Sequence, residues 1–162
     1  MTTEQSFVSS NIFLLRELLE GKPDGADWTW IVEGEEGLLF ALGKVDAATA
    51  SAKPAGNASS IAAHANHILY LLRLGNSHFG NPEPEGDWDS TWLKQTVTPE
   101  EWDQMRSDIE SEYRTMLAGI EAVSDWSMPD FPMGVTAQLA HIAYHLGAVR
   151  QQIRAQGAIK TS

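Results

Sequence analysis

The feature that most constrains this chain is an uninterrupted apolar seam near its C-terminal end. Val135, Leu139, Ile142, Leu146, Val149 and Ile153 alternate spacings of four and three residues. That is an a/d repeat over two and a half heptads, and it calls for a long helix packed lengthwise against others. The spacing predicts this helix from about Val135 to Gly157, with Pro129 and Pro132 breaking the chain before it.

A second strong signal stands at Thr98-Pro99-Glu100-Glu101. Threonine caps, proline takes the first helical position, and glutamate three residues after the cap closes a capping box. The helix so started runs to about Val123, with Trp102, Met105, Ile109, Tyr113, Met116, Ile120 and Val123 along its seam. A third helix begins at Ser59 or Ser60 and reaches about Asn76. A fourth, Ser6 to Glu20, carries Phe7, Leu14, Leu15 and Leu18 and stops at Gly21-Lys22-Pro23. A weaker stretch, Glu35 to Ala50, predicts one short additional helix, ended by Pro54-Ala55-Gly56-Asn57. Between the third helix and Thr98 lies a long irregular segment, Asn81 to Val97, with Pro82, Pro84, Gly86, Trp88 and Trp92. A connection of that length spans a distance or covers a site. No segment shows strand alternation of comparable quality, and there is no internal repeat. The expected architecture is all-α, a four-helix bundle in a single domain spanning 1–162, with a short extra helix and a long crossover loop.

Composition then restricts function. The 162 residues contain no cysteine, so thiolate nucleophiles, disulfides and sulfur-ligated metals are excluded. The net charge is −11, from 22 acidic and 11 basic residues, and no lysine–arginine cluster interrupts it. Such a surface repels phosphate backbones and anionic membranes, so neither nucleic acid nor membrane is an expected partner. No apolar run approaches the ~20 residues a membrane-crossing helix needs. Met1 to Ser6 lacks the basic and apolar stretches of an export signal, and a cytoplasmic location is expected.

The chemistry resides in histidine. His141 and His145 are four apart and therefore stack on one helical face, where two imidazoles can reach one cation. Each precedes a seam residue by one position, about 100° from the seam, and so faces the bundle interior or a cleft beside it. Ile142 stands where a metalloprotease helix of this spacing carries its glutamate, so protease chemistry lacks its general base. A third ligand has to come from a facing helix, and His64 and His67 are the candidates there. His78, near a helix end, is expected in solvent.

Two segments resemble a known family. Ser60-Ile61-Ala62-Ala63-His64-Ala65-Asn66-His67-Ile68 resembles the second-helix signature of the DinB/YfiT-like superfamily. His141-Ile142-Ala143-Tyr144-His145-Leu146-Gly147-Ala148-Val149-Arg150-Gln151 resembles its last-helix signature, H-x-x-x-H-x-G-x-x-R-Q. Thr98 to Trp102 is similar to the start of its third helix. The resemblance implies an up-down-down-up bundle, often dimeric, holding a divalent metal, usually zinc or nickel, on three histidines and water. On this chain those ligands are His67, His141 and His145, with His64 left to packing or to support of a ligand. It also implies a small-molecule substrate and a low-molecular-weight thiol, since known activities in the superfamily include thiol S-transferases and a maleylpyruvate isomerase.

Bound metal supplies a nucleophile from water or from a thiol, so a metal-dependent transferase, a hydrolase and a non-catalytic binding bundle all stay open. Gln138, one turn before His141, and Tyr70, near His67, are candidates to orient a ligand or touch substrate. Arg150 is the candidate to grip an anionic group. Affinity for metal is expected to fall below pH ~6.5, where free histidine protonates.

Overall fold

A computed structural model describes residues 3–32, 34, 36–54, 56, 58–128 and 130–157. Among them are six α-helices: α1 (Thr3–Glu20), α2 (Leu38–Gly43), α3 (Ala47–Ser51), α4 (Ile61–Ser77), α5 (Pro99–Ala122) and α6 (Asp130–Ala155). A short 3-10 helix, Ser90–Leu93, interrupts the long connection before α5. The described residues form no sheet, and their one β-bridge joins Gly21 to Glu36. Among the described residues no helix is long and apolar enough to cross a membrane.

The strongest sequence signals become the most regular parts of the fold. All six seam residues of α6 are buried. The capping box of α5 forms in full, with the Thr98 hydroxyl accepting from the Glu101 amide and the Glu101 carboxylate accepting from the Thr98 amide. Ser60 caps α4 by accepting from the Ala63 amide. One connected core results, drawing on every helix. Trp102 and Trp126 are both buried within it, and the Trp102 indole donates to the Val45 carbonyl at 2.9 Å.

Three expectations are corrected. The segment expected as one helix to Ala50 is two, α2 and α3, because the Asp46 carboxylate accepts from the Thr49 amide at 2.7 Å and starts a new helix there. Glu35, its expected first residue, lies outside the described residues, as do Ala55 and Asn57. The last helix starts at Asp130, five residues before Val135, and Pro132 sits inside its first turn. Amides there have no intrahelical acceptor, so a proline removes nothing. Pro129 lies outside the described residues. Finally, α1 begins at Thr3 instead of Ser6.

Side-chain pairs fix the helix directions. Ser59, His64, His67 and Leu71 meet Gln152, His145, His141 and Gln138 in turn, so α4 and α6 are antiparallel. Arg73 pairs with Asp108 and Glu112, and Phe79 lies where a side chain at Gly119 would sit, so α4 and α5 are parallel. Parallel neighbours need a crossover, and the 81–97 segment provides it. It runs back along α4, bonding Asn66 through the Thr91 carbonyl and Ser60 through Gln95. Phe7 packs edge-on against Trp126, which in turn packs on Phe131, placing the start of α1 beside the start of α6.

One buried polar feature had no sequence signal. Glu17 is fully buried in α1, and its carboxylate accepts the amides of Trp30, Ile31 and Val32 at 2.5–2.9 Å. This clamp orders a loop that would otherwise carry unsatisfied backbone. Nearby, Gly37 abuts the backbone of Leu19 and Gly21 so closely that a Cβ would fall 2.4 Å from the Gly21 nitrogen.

Candidate metal centre

The antiparallel contact of α4 and α6 brings His67, His141 and His145 together. One nitrogen from each ring lies within 4.8 Å of the other two, which is compatible with a divalent metal site. His67 and His145 are almost fully buried and His141 is half-buried. His67 Nε2 and His141 Nε2 are 3.3 Å apart. A tetrahedral shell with bonds of ~2.1 Å separates its ligand nitrogens by ~3.4 Å. The same gap is closed by a hydrogen bond when His141 carries its proton on Nε2.

Hydrogen bonds around the rings decide which nitrogens face inward. The Thr91 hydroxyl donates to the Trp88 carbonyl at 2.7 Å. Its single proton is then spent, so at 2.7 Å from His67 Nδ1 it accepts, and His67 carries its proton on Nδ1. The Nε2 lone pair is left facing His141. On the other side, His145 Nδ1 lies 3.0 Å from His64 Nδ1, and one proton is shared between them. His145 Nε2 is buried with no partner among the described residues. An orphaned ring nitrogen in a cluster of imidazoles is costly for a neutral protein and is what a bound cation would satisfy. The donor set fits a nitrogen-preferring divalent metal.

Electrostatics agree. Burial pushes His67 down to about 4, helped by repulsion from His141 and His64. Burial pushes His145 down to about 3, with His64, His67 and His141 adding to it. His64 and His141 are lowered by burial as well. At neutral pH the rings are therefore neutral, the form that ligates metal. No carboxylate is among the groups that shift the three rings.

The crossover loop covers the cluster with aromatic rings. Trp92 stacks on His67 at 4.3 Å between centroids and meets His64 edge-on. Trp88 stands edge-on to His67 at 4.6 Å and 5.2 Å from His141. Thr91 is the residue of the site that has no sequence signature. It lies in the short 3-10 helix of the crossover, 24 positions from the ring it holds.

Beside His141 opens an apolar cavity of about 430 Å³ between α4, α5 and the first half of α6. Leu71, Phe79, Met116, Phe131 and Val135 form much of its wall, and Trp88 stands with His141 at its border. Gly75 belongs to this wall because a Cβ there would meet Met116 and the Gln138 amide at 2.4 and 2.6 Å. Gln138 lines the cavity and donates to the Leu71 carbonyl at 2.9 Å, while its oxygen is buried without a partner.

The remaining candidates are not brought to the cluster in the same way. Tyr70 lines a second, polar cavity of about 490 Å³, with Arg73, Asn76 and Glu83, and its ring stands edge-on to Trp88 at 6.4 Å. Arg150, half-buried on α6, is not among the residues lining the cavity beside His141. His78 is exposed, as its position near the helix end suggests, and stands at the rim of that cavity.

No family model matches the chain, and neither the curated proteins nor the solved structures include a significant match to it.

Proposed function

We propose that His67, His141 and His145 hold one divalent cation, zinc or nickel, and that the protein is a metal-dependent enzyme of the DinB/YfiT-like kind. The observation that carries this reading is the convergence of three neutral imidazoles around a buried, unpartnered His145 Nε2. The helix directions described above are those expected of an up-down-down-up bundle, which supports the kinship.

When bound, a cation on three neutral ligands keeps its full charge and lowers the pKa of a water or thiol beside it, which supplies a nucleophile at neutral pH. The chain does the rest. Thr91 and His64 fix the rings from behind, Trp92 and Trp88 exclude water, and the cavity beside His141 receives a small molecule. The reaction is transfer by a low-molecular-weight thiol. A thiol, of pKa about 8.5 when free against about 15.7 for water, needs a far smaller shift to become the nucleophile at neutral pH. Among the described residues Asp130 is the one acid lining the cavity, and it is exposed, so none of them poises a carboxylate to activate water for hydrolysis. A non-catalytic metal-binding bundle would have no use for a cavity that reaches a ligand.

The protein is further expected to act as a homodimer in the cytoplasm. Trp28 and Trp30, 57% and 65% exposed with their rings 4.2 Å apart, are the aromatic surface that self-association would cover.

Calorimetric titration of chelator-treated protein with zinc and with nickel tests the centre. Micromolar or tighter binding of one equivalent, lost in His145→Ala, is expected; no binding of either metal by the folded protein overturns it. Screening the loaded protein with several small thiols and an electrophile then tests the reaction.

A further inference from the structure

The cavity beside His141 demands its own explanation, because the histidine cluster does not need it. Its walls are aliphatic and aromatic, with two phenylalanines, a tryptophan and two methionines among them. Its volume falls within the range of roughly 300–1,000 Å³ that small-molecule sites occupy. Among the described residues no lysine or arginine lines it. Its border carries, among the described residues, the exposed carboxylate of Asp130 and the exposed ring of His78.

These facts select by charge. An anion entering the cavity would shed water, find no basic partner and approach Asp130, on a chain whose net charge is already −11. An apolar molecule would exchange water for contact with Phe79, Phe131, Met116 and Leu71 at no polar cost. Methionine makes such a wall adaptable in shape, so the selection is by polarity more than by outline.

We infer that this cavity binds a compact, uncharged, predominantly apolar organic molecule, with one end held against His141 and Trp88. The inference deepens the proposed function and rests on it for the molecule's role, which is that of the acceptor substrate. It assigns the acidic parts of any thiol co-substrate to some other surface, since no basic partner for them is among the residues of this wall.

The test compares two probes with the same carbon frame, neutral N-phenyl-1-naphthylamine and its sulfonate, 8-anilinonaphthalene-1-sulfonate. Each is titrated by fluorescence against the full chain at neutral pH, once chelator-treated and once zinc-loaded. The neutral probe should bind with a single-site isotherm, about ten-fold or more tightly than the sulfonate. Two variants fill the cavity. A Cβ at Gly134 meets nothing within 4 Å, so Gly134→Phe is tolerated by the helix; Leu74→Trp enlarges the facing wall. Both should weaken the neutral probe by about ten-fold or more while helicity is kept. Gly147→Phe, equally open on the same helix but away from the cavity, should change nothing. Equal or tighter sulfonate binding, no neutral binding, or indifference to both filling variants overturns the inference. Protein that binds the probe but no metal sinks the metal centre alone. Protein that binds metal but no probe sinks the cavity assignment alone.

Discussion

Thr91 accepts a hydrogen bond from Nδ1 of His67 at 2.7 Å because its own proton is given to the Trp88 carbonyl. The hydroxyl thus dictates the ring's tautomer as well as its orientation. Thr91→Val keeps the shape and removes the acceptor. Metal affinity should fall by about ten-fold or more, the usual effect of losing a group that orients a ligand. Thr91→Ser should restore most of it. Competition with a chromogenic chelator measures both, and an unchanged affinity in Thr91→Val would show that the hydroxyl does not position the ligand.

The four clustered histidines should separate into two classes by alanine substitution. His67→Ala, His141→Ala and His145→Ala each remove a ligand and should abolish tight binding. His64→Ala removes the partner of His145 Nδ1 and an edge-on contact with Trp92 but no ligand, and should weaken binding by about ten-fold. His78→Ala should leave it unchanged. Abolition by His64→Ala with retention in His67→Ala would mean that the wrong member of the α4 pair has been assigned as ligand.

Burial also fixes how acid acts on the protein without metal. The folded state holds His67 and His145 as neutral rings, at about 4 and about 3, whereas the unfolded chain protonates them near 6.5. The unfolded state therefore binds more protons between these limits. The stabilisation is complete above about pH 6.5 and is lost as pH falls towards 4 and below. The melting temperature of chelator-treated protein should drop steadily from pH 7 to 4.5. The drop should be smaller in a His67→Phe variant, which cannot protonate. The same argument moves the acid limit of metal affinity. Protons compete with the cation for folded, neutral ligands well below the free-histidine value of 6.5, so binding should persist to about pH 5. A binding midpoint near 6.5 would show that the rings titrate as if solvated.

The Glu17 clamp carries a different expectation. Glu17→Gln keeps the size but loses the charge that three amides share. Hydrogen bonds to charged groups are worth about 1.5–3 kcal/mol each in favourable cases, so a loss of about 2 kcal/mol or more is expected in chemical denaturation. Fluorescence from Trp28 and Trp30 should shift as their loop loosens. Stability equal to the wild type would show that the carboxylate is dispensable.

Self-association is checked by sedimentation. Trp30→Ser should convert dimer to monomer with the helical signal intact. A wild-type chain that stays monomeric at micromolar concentration counts against dimerisation altogether.

What could be read from the sequence was what depends on neighbours along a helix. The seam from Val135 to Ile153, the capping box at Thr98 and Glu101, and the stacking of His141 on His145 all follow from spacings of three and four. The break at Asp46 was equally local, but a cap inside a weak apolar stripe competes with continuation of the helix, and the sequence alone does not weigh the two. Pro132 misled because proline stops a helix everywhere except in its first turn, and the seam gave no sign that the helix starts before Val135. Thr91, the Glu17 clamp and the cavity wall depend on contacts between distant segments. Glu17 reaches amides 13 to 15 residues away, and amides carry no side-chain signature at all.

The contact between His67 and His141 spans 74 positions of a chain that contains no cysteine. A cation held between them would act as a staple on the folded chain alone, since the unfolded chain has no preformed site, and would stabilise it by about 4 kcal/mol at a free metal concentration a thousand times its Kd. Such a staple is indifferent to the redox potential of its surroundings. It would open instead to chelators and to acid, which would tie the protein's durability in a cell to the supply of free metal.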